Sequence, residues 1–151
     1  VCNLRPESRG SVHVKSSDFA AAPAIRPNYL STPADREVAV RAIRLTREIV
    51  TMPSFARYHP EEYKPGADHQ TDADLEKAAG NIGTTIFHPV GTARMGADPE
   101  SVVDPRLKLR AFGRLRVADA SIMPNIVSGN TNSPTIMIAE KAAEMILADN
   151  R

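Results

Sequence analysis

The chain is poor in the features that would settle its chemistry quickly. Its one cysteine, Cys2, can form neither an internal disulfide nor a Cys-x-x-Cys metal pair. It has no tryptophan, and aromatic residues are 5% of the total. Charge is balanced, 19 basic residues against 18 acidic, for a net +1. That leaves no basic footprint for a nucleic acid or an anionic membrane. No apolar run approaches the ~20 residues that a membrane span needs. HExxH and GxSxG are absent, which removes the common zinc-protease and serine-elbow signatures. GxGxxG is absent too, and "GTARMG" lacks the Lys-Ser/Thr that would complete a phosphate loop. None of the four histidines stands at a close ligand spacing, so no metal site is expected.

What is present is ordinary globular material. The 151 residues are 42% hydrophobic and 25% charged, enough for a core and suited to one domain or part of a larger protein. The chain opens on Val rather than Met and is strand-like almost at once, which suggests a piece of a longer protein. The lone cysteine is compatible with a reducing compartment.

Residues 9–16 alternate, with Val12 and Val14 on one face and His13 and Lys15 on the other, which predicts a half-buried strand. "AAPAIRPNYL" reads as extended chain or an edge strand because of its prolines. The clearest helix follows "STP": Thr32 as N-cap, Pro33 at the first position, Asp35 as the capping-box acid, and Pro53 beyond the end. Val38, Ala42, Leu45 and Ile49 recur on it at helical spacing, with Arg41, Arg44 and Glu48 on a solvated face. Residues 54–70 read as a loop. A short helix follows, capped by Thr71 and stopped by Gly80 or Gly83. Strands are predicted at 84–87, 107–110 and 114–121. A last apolar helix is expected from Ser133, with Pro134 at its first position, to about Asp149.

His13, His59 and His69 read as surface histidines. His88 differs, because it leaves an apolar run and enters the rigid turn "HPVGT". Imidazole is the side chain best placed for proton transfer near neutral pH. Asn130 and Asn132 stand before a helix N-terminus, where free N–H groups and the dipole favour negative charge. The same asparagines could simply turn the chain and help to cap it.

In order along the chain, "LRPESRGSVHV", "PNYL", "FHPVGTARMG", "VVDPRLKLRAFGRLRVADASIMP" and "SGNTNSPTIMIAEKAA" resemble the C-terminal region of the glucose–methanol–choline (GMC) family of FAD-dependent oxidoreductases. The resemblance implies an α+β fold with an antiparallel sheet and helices. It implies that residues 1–98 are part of a substrate-binding domain. Residues 99–151 would be the return, by a strand and a helix, into an FAD-binding domain whose nucleotide-binding portion lies elsewhere in the protein. It further implies oxidation of a CH–OH group of a small alcohol to an aldehyde, with hydride passing to FAD. His88 would be the base and Asn130 would hold the substrate oxygen. Thr131 and Asn132 would meet the flavin pyrimidine edge, and Asp119 and Ala120 the ribityl–pyrophosphate region. Alone, the chain is expected to bind FAD poorly and to turn over nothing. A cytoplasmic location is expected, with peripheral membrane association left open. Choline is not the favoured substrate, since aromatic residues to face a quaternary ammonium are few and "HPVGT" is closer to the general alcohol dehydrogenase form. Two other readings are a non-catalytic module of the same architecture and a stand-alone small domain.

Overall fold

The structure is a computed structural model that describes residues 1–150. Its contacts divide it into two compact units, Val1–Thr85 and a second from Ile86 onward. The division falls ahead of the boundary expected at 98/99 and places His88 and the three residues 130–132 in one unit.

The first unit holds an antiparallel ribbon, β1 (Ser11–His13) and β2 (Ala24–Arg26), with Val12 opposite Ile25. The alternation in the sequence does give a strand, but not a buried face: Val12 and Val14 are both exposed, because no element among the described residues covers them. Helix α1 (Pro33–Val50) starts as its cap predicts, with the Asp35 N–H donating to Thr32 Oγ1 at 3.2 Å. The Asp35 carboxylate turns elsewhere. It accepts from Asn3 Nδ2 (2.9 Å) and from the N–H groups of Glu7 (2.9 Å) and Ser8 (2.7 Å). Burial raises its pKa, but the hydrogen bonds from Ser8 and Glu7 outweigh this and hold it below the ordinary carboxylate value. A buried carboxylate with its acceptors filled is stable as an anion, and here it ties residues 3–8 to α1.

Helix α1 packs on α3 (Asp72–Ile82) through Val40, against Leu75 and Ala78 on α3. The stripe Val38, Leu45 and Ile49 is exposed instead, so α1 carries two apolar faces and buries the other one. Its arginines do more than solvate it. Arg44 donates to Asp72 and to the Gln70 carbonyl, and Arg36 pairs with Glu76. Arg47 grips the 54–70 loop through Glu62 and the carbonyls of Gly66 and His69. That loop opens with a single helical turn, α2 (Pro53–Ala56). Helix α3 has a complete capping box, Thr71 with Asp74, and ends at Gly83. His69 is not a plain surface histidine: it is half-buried, and its Nδ1 lies out of water without a partner.

The second unit has little regular structure before its helix. No strand forms at 84–87, because Phe87 adopts φ 63°, a left-handed conformation that ends extended chain. The strands predicted at 107–110 and 114–121 reduce to isolated bridges, Val103 with Leu109 and Lys108 with Arg116. A 3-10 turn, Ala120–Ile122, follows. These segments wrap a core of Val103, Leu107, Ile122, Met123, Ile138 and Ala142. The last two lie on α4 (Asn132–Asp149), whose Ile136, Met137 and Leu147 stay exposed, so only part of its apolar surface is buried in this chain. Helix α4 begins before the predicted Ser133 cap: Thr131 is the N-cap and Pro134 lies in the first turn. Pro is tolerated there because the first-turn N–H groups have no intrahelical partner. At its far end Asp149 gathers Arg106, Lys108 and Arg116. Among the described residues no helix is long and apolar enough to cross a membrane.

Candidate active site

The site is built from the turn at 88–96 and the start of α4. His88 is half-buried between Phe87, at φ 63°, and Pro89, so its backbone has little freedom. A bulky aromatic at positive φ stores strain of about 1–3 kcal/mol, which the surrounding contacts must hold. The turn then docks on the 3-10 segment. Ala93 N–H donates to the Ser121 carbonyl (3.0 Å) and Met95 N–H to that of Ile122 (2.8 Å). Arg94 braces Asp98 with two hydrogen bonds (2.9 and 2.8 Å), and that contact holds the Asp98 carboxyl down to about 2.

The ring of His88 meets α4. Its Nδ1 lies 2.8 Å from Thr131 Oγ1, across a sequence separation of 43 residues. Thr131 is buried, with 8% of its surface exposed. It is unusual among the threonine N-caps. Thr32 and Thr71 each accept from an N–H of their own helix, whereas Thr131 makes no such bond. Its dihedrals (φ −91°, ψ −2°) are helical rather than extended, so its hydroxyl does not reach back over the helix end. A missing cap costs about 1 kcal/mol. Here the hydroxyl is directed at the histidine instead.

The other sequence-derived residues fall around this contact. Asn130 is exposed and immediately precedes Thr131, and Asn132 is exposed as the first residue of α4. The carboxamide expected beside the imidazole thus belongs to the neighbour of the residue that actually bonds it. Asp119 is partly committed, since its carboxylate accepts from Ser121 N–H at 2.8 Å and starts the 3-10 turn. Ala120 packs against the core cluster. The Thr131 side chain was missed by sequence reasoning. The only available signal was a threonine able to cap one residue before α4, and Ser133-Pro134 competed for that role. Among the described residues no group of three or more His, Cys, Asp or Glu side chains could hold a metal ion.

The donor set suits an electron-rich or negatively charged group. The N-terminus of α4 has no side-chain cap, and two exposed carboxamides flank it. Uncapped N–H groups and the helix dipole favour developing negative charge.

The second unit thus sets a histidine against the start of a helix. The chain belongs to the GMC oxidoreductase family, whose C-terminal profile matches residues 6–139. It is 48% identical over 147 residues to an alcohol dehydrogenase [acceptor] of Pseudomonas putida, covering 97% of this chain and 27% of that protein. It is 47% identical over 146 residues to an oxygen-dependent choline dehydrogenase of Escherichia coli K12/DH10B, covering 97% and 26%. Among solved structures it is similar to an FAD-dependent oxidoreductase from Chaetomium thermophilum, with TM-score 0.92, 32% identity, and coverage of 99% of this chain and 26% of that one. The chain therefore spans about a quarter of the length of the curated relatives it matches. The family and its FAD-dependent structural neighbours imply FAD as the cofactor.

Proposed function

We propose that this chain supplies the acid–base part of an FAD-dependent oxidoreductase that converts an alcohol to an aldehyde. One observation carries the reading: the contact between His88 and Thr131 sets the only histidine of a rigid turn against the start of α4, next to Asn130. Neutral His88 takes the substrate hydroxyl proton on its free ring nitrogen. Asn130 holds the substrate oxygen by hydrogen bond and so orients the carbinol carbon. When bound, FAD supplies the two-electron acceptor for the hydride of that carbon. The atoms then balance: the proton goes to His88, the hydride to the cofactor, and the C–O bond becomes a carbonyl.

Backbone groups of Thr131 and Asn132 would hold the pyrimidine edge of the cofactor, and the uncapped end of α4 there would favour negative charge. Asp119 and Ala120 would hold its ribityl–pyrophosphate region. Residues 1–98 contribute to the substrate side and residues 99–151 to the cofactor side. The exposed apolar faces of α1 and α4 are then surfaces that the remainder of the protein covers. On this reading the chain by itself takes up no stoichiometric flavin.

The test is His88→Ala in the complete flavoprotein. Turnover of alcohols drops by a factor of roughly 100 to 10,000, the range of a general base, while the visible flavin spectrum stays that of the parent. Unchanged turnover removes His88 from the chemistry.

A further inference from the structure

The hydrogen bond between His88 and Thr131 has two possible directions, and only one leaves a usable base. If the Thr131 hydroxyl donates to Nδ1, the proton of the neutral ring sits on Nε2, and that nitrogen cannot accept another. If Nδ1–H donates to the hydroxyl oxygen, Nε2 keeps its lone pair. We propose that Thr131 is a positioning residue: its hydroxyl oxygen accepts from His88 Nδ1–H, which fixes the tautomer and turns Nε2 toward the substrate. This rests on the reading of His88 as the base.

Four features of the structure support that direction. The acceptor lone pairs of Thr131 are free, because no N–H of α4 uses them, in contrast to Thr32 and Thr71. The backbone that carries the hydroxyl is held in place, because the Thr131 carbonyl accepts both the Thr135 N–H (3.1 Å) and the Thr135 hydroxyl (2.6 Å). The backbone that carries the ring is restricted as well, by the left-handed Phe87 on one side and Pro89 on the other. Thr131 is buried, so water is not a ready substitute partner for Nδ1.

The direction also survives the reaction. When Nε2 receives the substrate proton, both ring nitrogens carry hydrogen, and Nδ1–H continues to donate to the same oxygen. A donor hydroxyl at that place would have to rotate away at the moment of proton transfer. A fixed acceptor avoids that reorganisation and strengthens as the ring becomes charged. The role is the one that a second partner plays wherever the bond made by one ring nitrogen decides what the other can do.

The experiment compares Thr131→Val, Thr131→Ser and His88→Ala in the complete flavoprotein, with ¹⁵N spectra of histidine-labelled protein. In the parent, the neutral His88 ring shows its proton on Nδ1. Thr131→Val, which keeps the shape and loses the oxygen, lowers kcat by about 10- to 100-fold with KM nearly unchanged, and the Nδ1-protonated signal is lost or mixed. Thr131→Ser restores both. A parent spectrum with the proton on Nε2 overturns the proposal, and so does Thr131→Val at parental kcat. If Thr131→Val fails to fold, the parent spectrum decides alone. His88→Ala separates the two levels. If it abolishes turnover while Thr131→Val does not, the positioning role fails and the base survives. If His88→Ala is itself harmless, both fall.

Discussion

The Ala93 N–H donates to the Ser121 carbonyl at 3.0 Å, and this bond joins the turn after His88 to the 3-10 segment at Ala120–Ile122. The residues that carry the proposed proton chemistry and those proposed to meet the cofactor chain are thereby parts of one packed unit. Displacing one displaces the other.

Gly91 is where this joint is tightest. Its φ is +86°, and a Cβ placed on it would stand 3.3 Å from the Met123 carbonyl. Gly91→Ala is expected to cost about 1–3 kcal/mol of stability from the strained backbone alone. Gly129→Ala, where nothing lies within 4 Å, is the control. Urea unfolding of the complete protein measures both. Equal stability of the two variants counts against the joint.

Asn130 separates function from folding. It is exposed, so Asn130→Ala should leave stability within about 0.5 kcal/mol of the parent. On the proposed reading it loses about 100-fold in kcat/KM, the scale of a misplaced substrate. Steady-state kinetics alongside thermal unfolding decides the matter. A stability loss with intact kinetics would make Asn130 a turn residue only.

Helix starts were the most legible part of this chain. Thr32-Pro33 and Thr71 with Asp74 announce α1 and α3 because capping is local chemistry between residues three apart. Strands were less legible. Residues 84–87 carry β-forming side chains, yet Phe87 turns the chain at positive φ, which no pattern of side chains reveals. The apolar stripe of α1 was visible, but the face it buries is chosen by α3 and by the arginine anchors, which are long-range. His88 and the asparagine pair stood out by residue type and motif. The Thr131 hydroxyl did not, because its partner lies 43 residues away.

The three threonine caps give a contrast in kind. Thr32→Ala and Thr71→Ala each remove a cap that accepts from the helix, and each should cost about 1 kcal/mol of stability. Thr131→Ala has no cap to remove; its stability cost comes instead from leaving His88 Nδ1 without its partner, about 1–3 kcal/mol, and its effect on turnover should be the largest of the three. Unfolding midpoints and kcat for the three variants test the ordering. A Thr131 variant as unstable as the other two, with unaltered kcat, would return that residue to ordinary capping.

The end of α4 predicts a pH dependence. Asp149 is bound by Lys108, and also by Arg106 and Arg116. Lys108 first and Arg106 next hold its carboxyl down to about 2 from an ordinary 3.8. The folded-state value is depressed, so the unfolded chain takes up the proton first as pH falls. The contribution to stability is therefore complete above about 3.8 and disappears as pH drops toward about 2. Asp149→Asn should lower the urea midpoint at neutral pH, and its gap from the parent should close across that window. The carboxylate is open to solvent, so added salt should narrow the gap at neutral pH as well. Asp98, held down to about 2 by Arg94, titrates in the same range in both proteins and cancels from the difference. A gap that persists unchanged to the acid end of the window would mean that Asp149 stabilises α4 by something other than its charge.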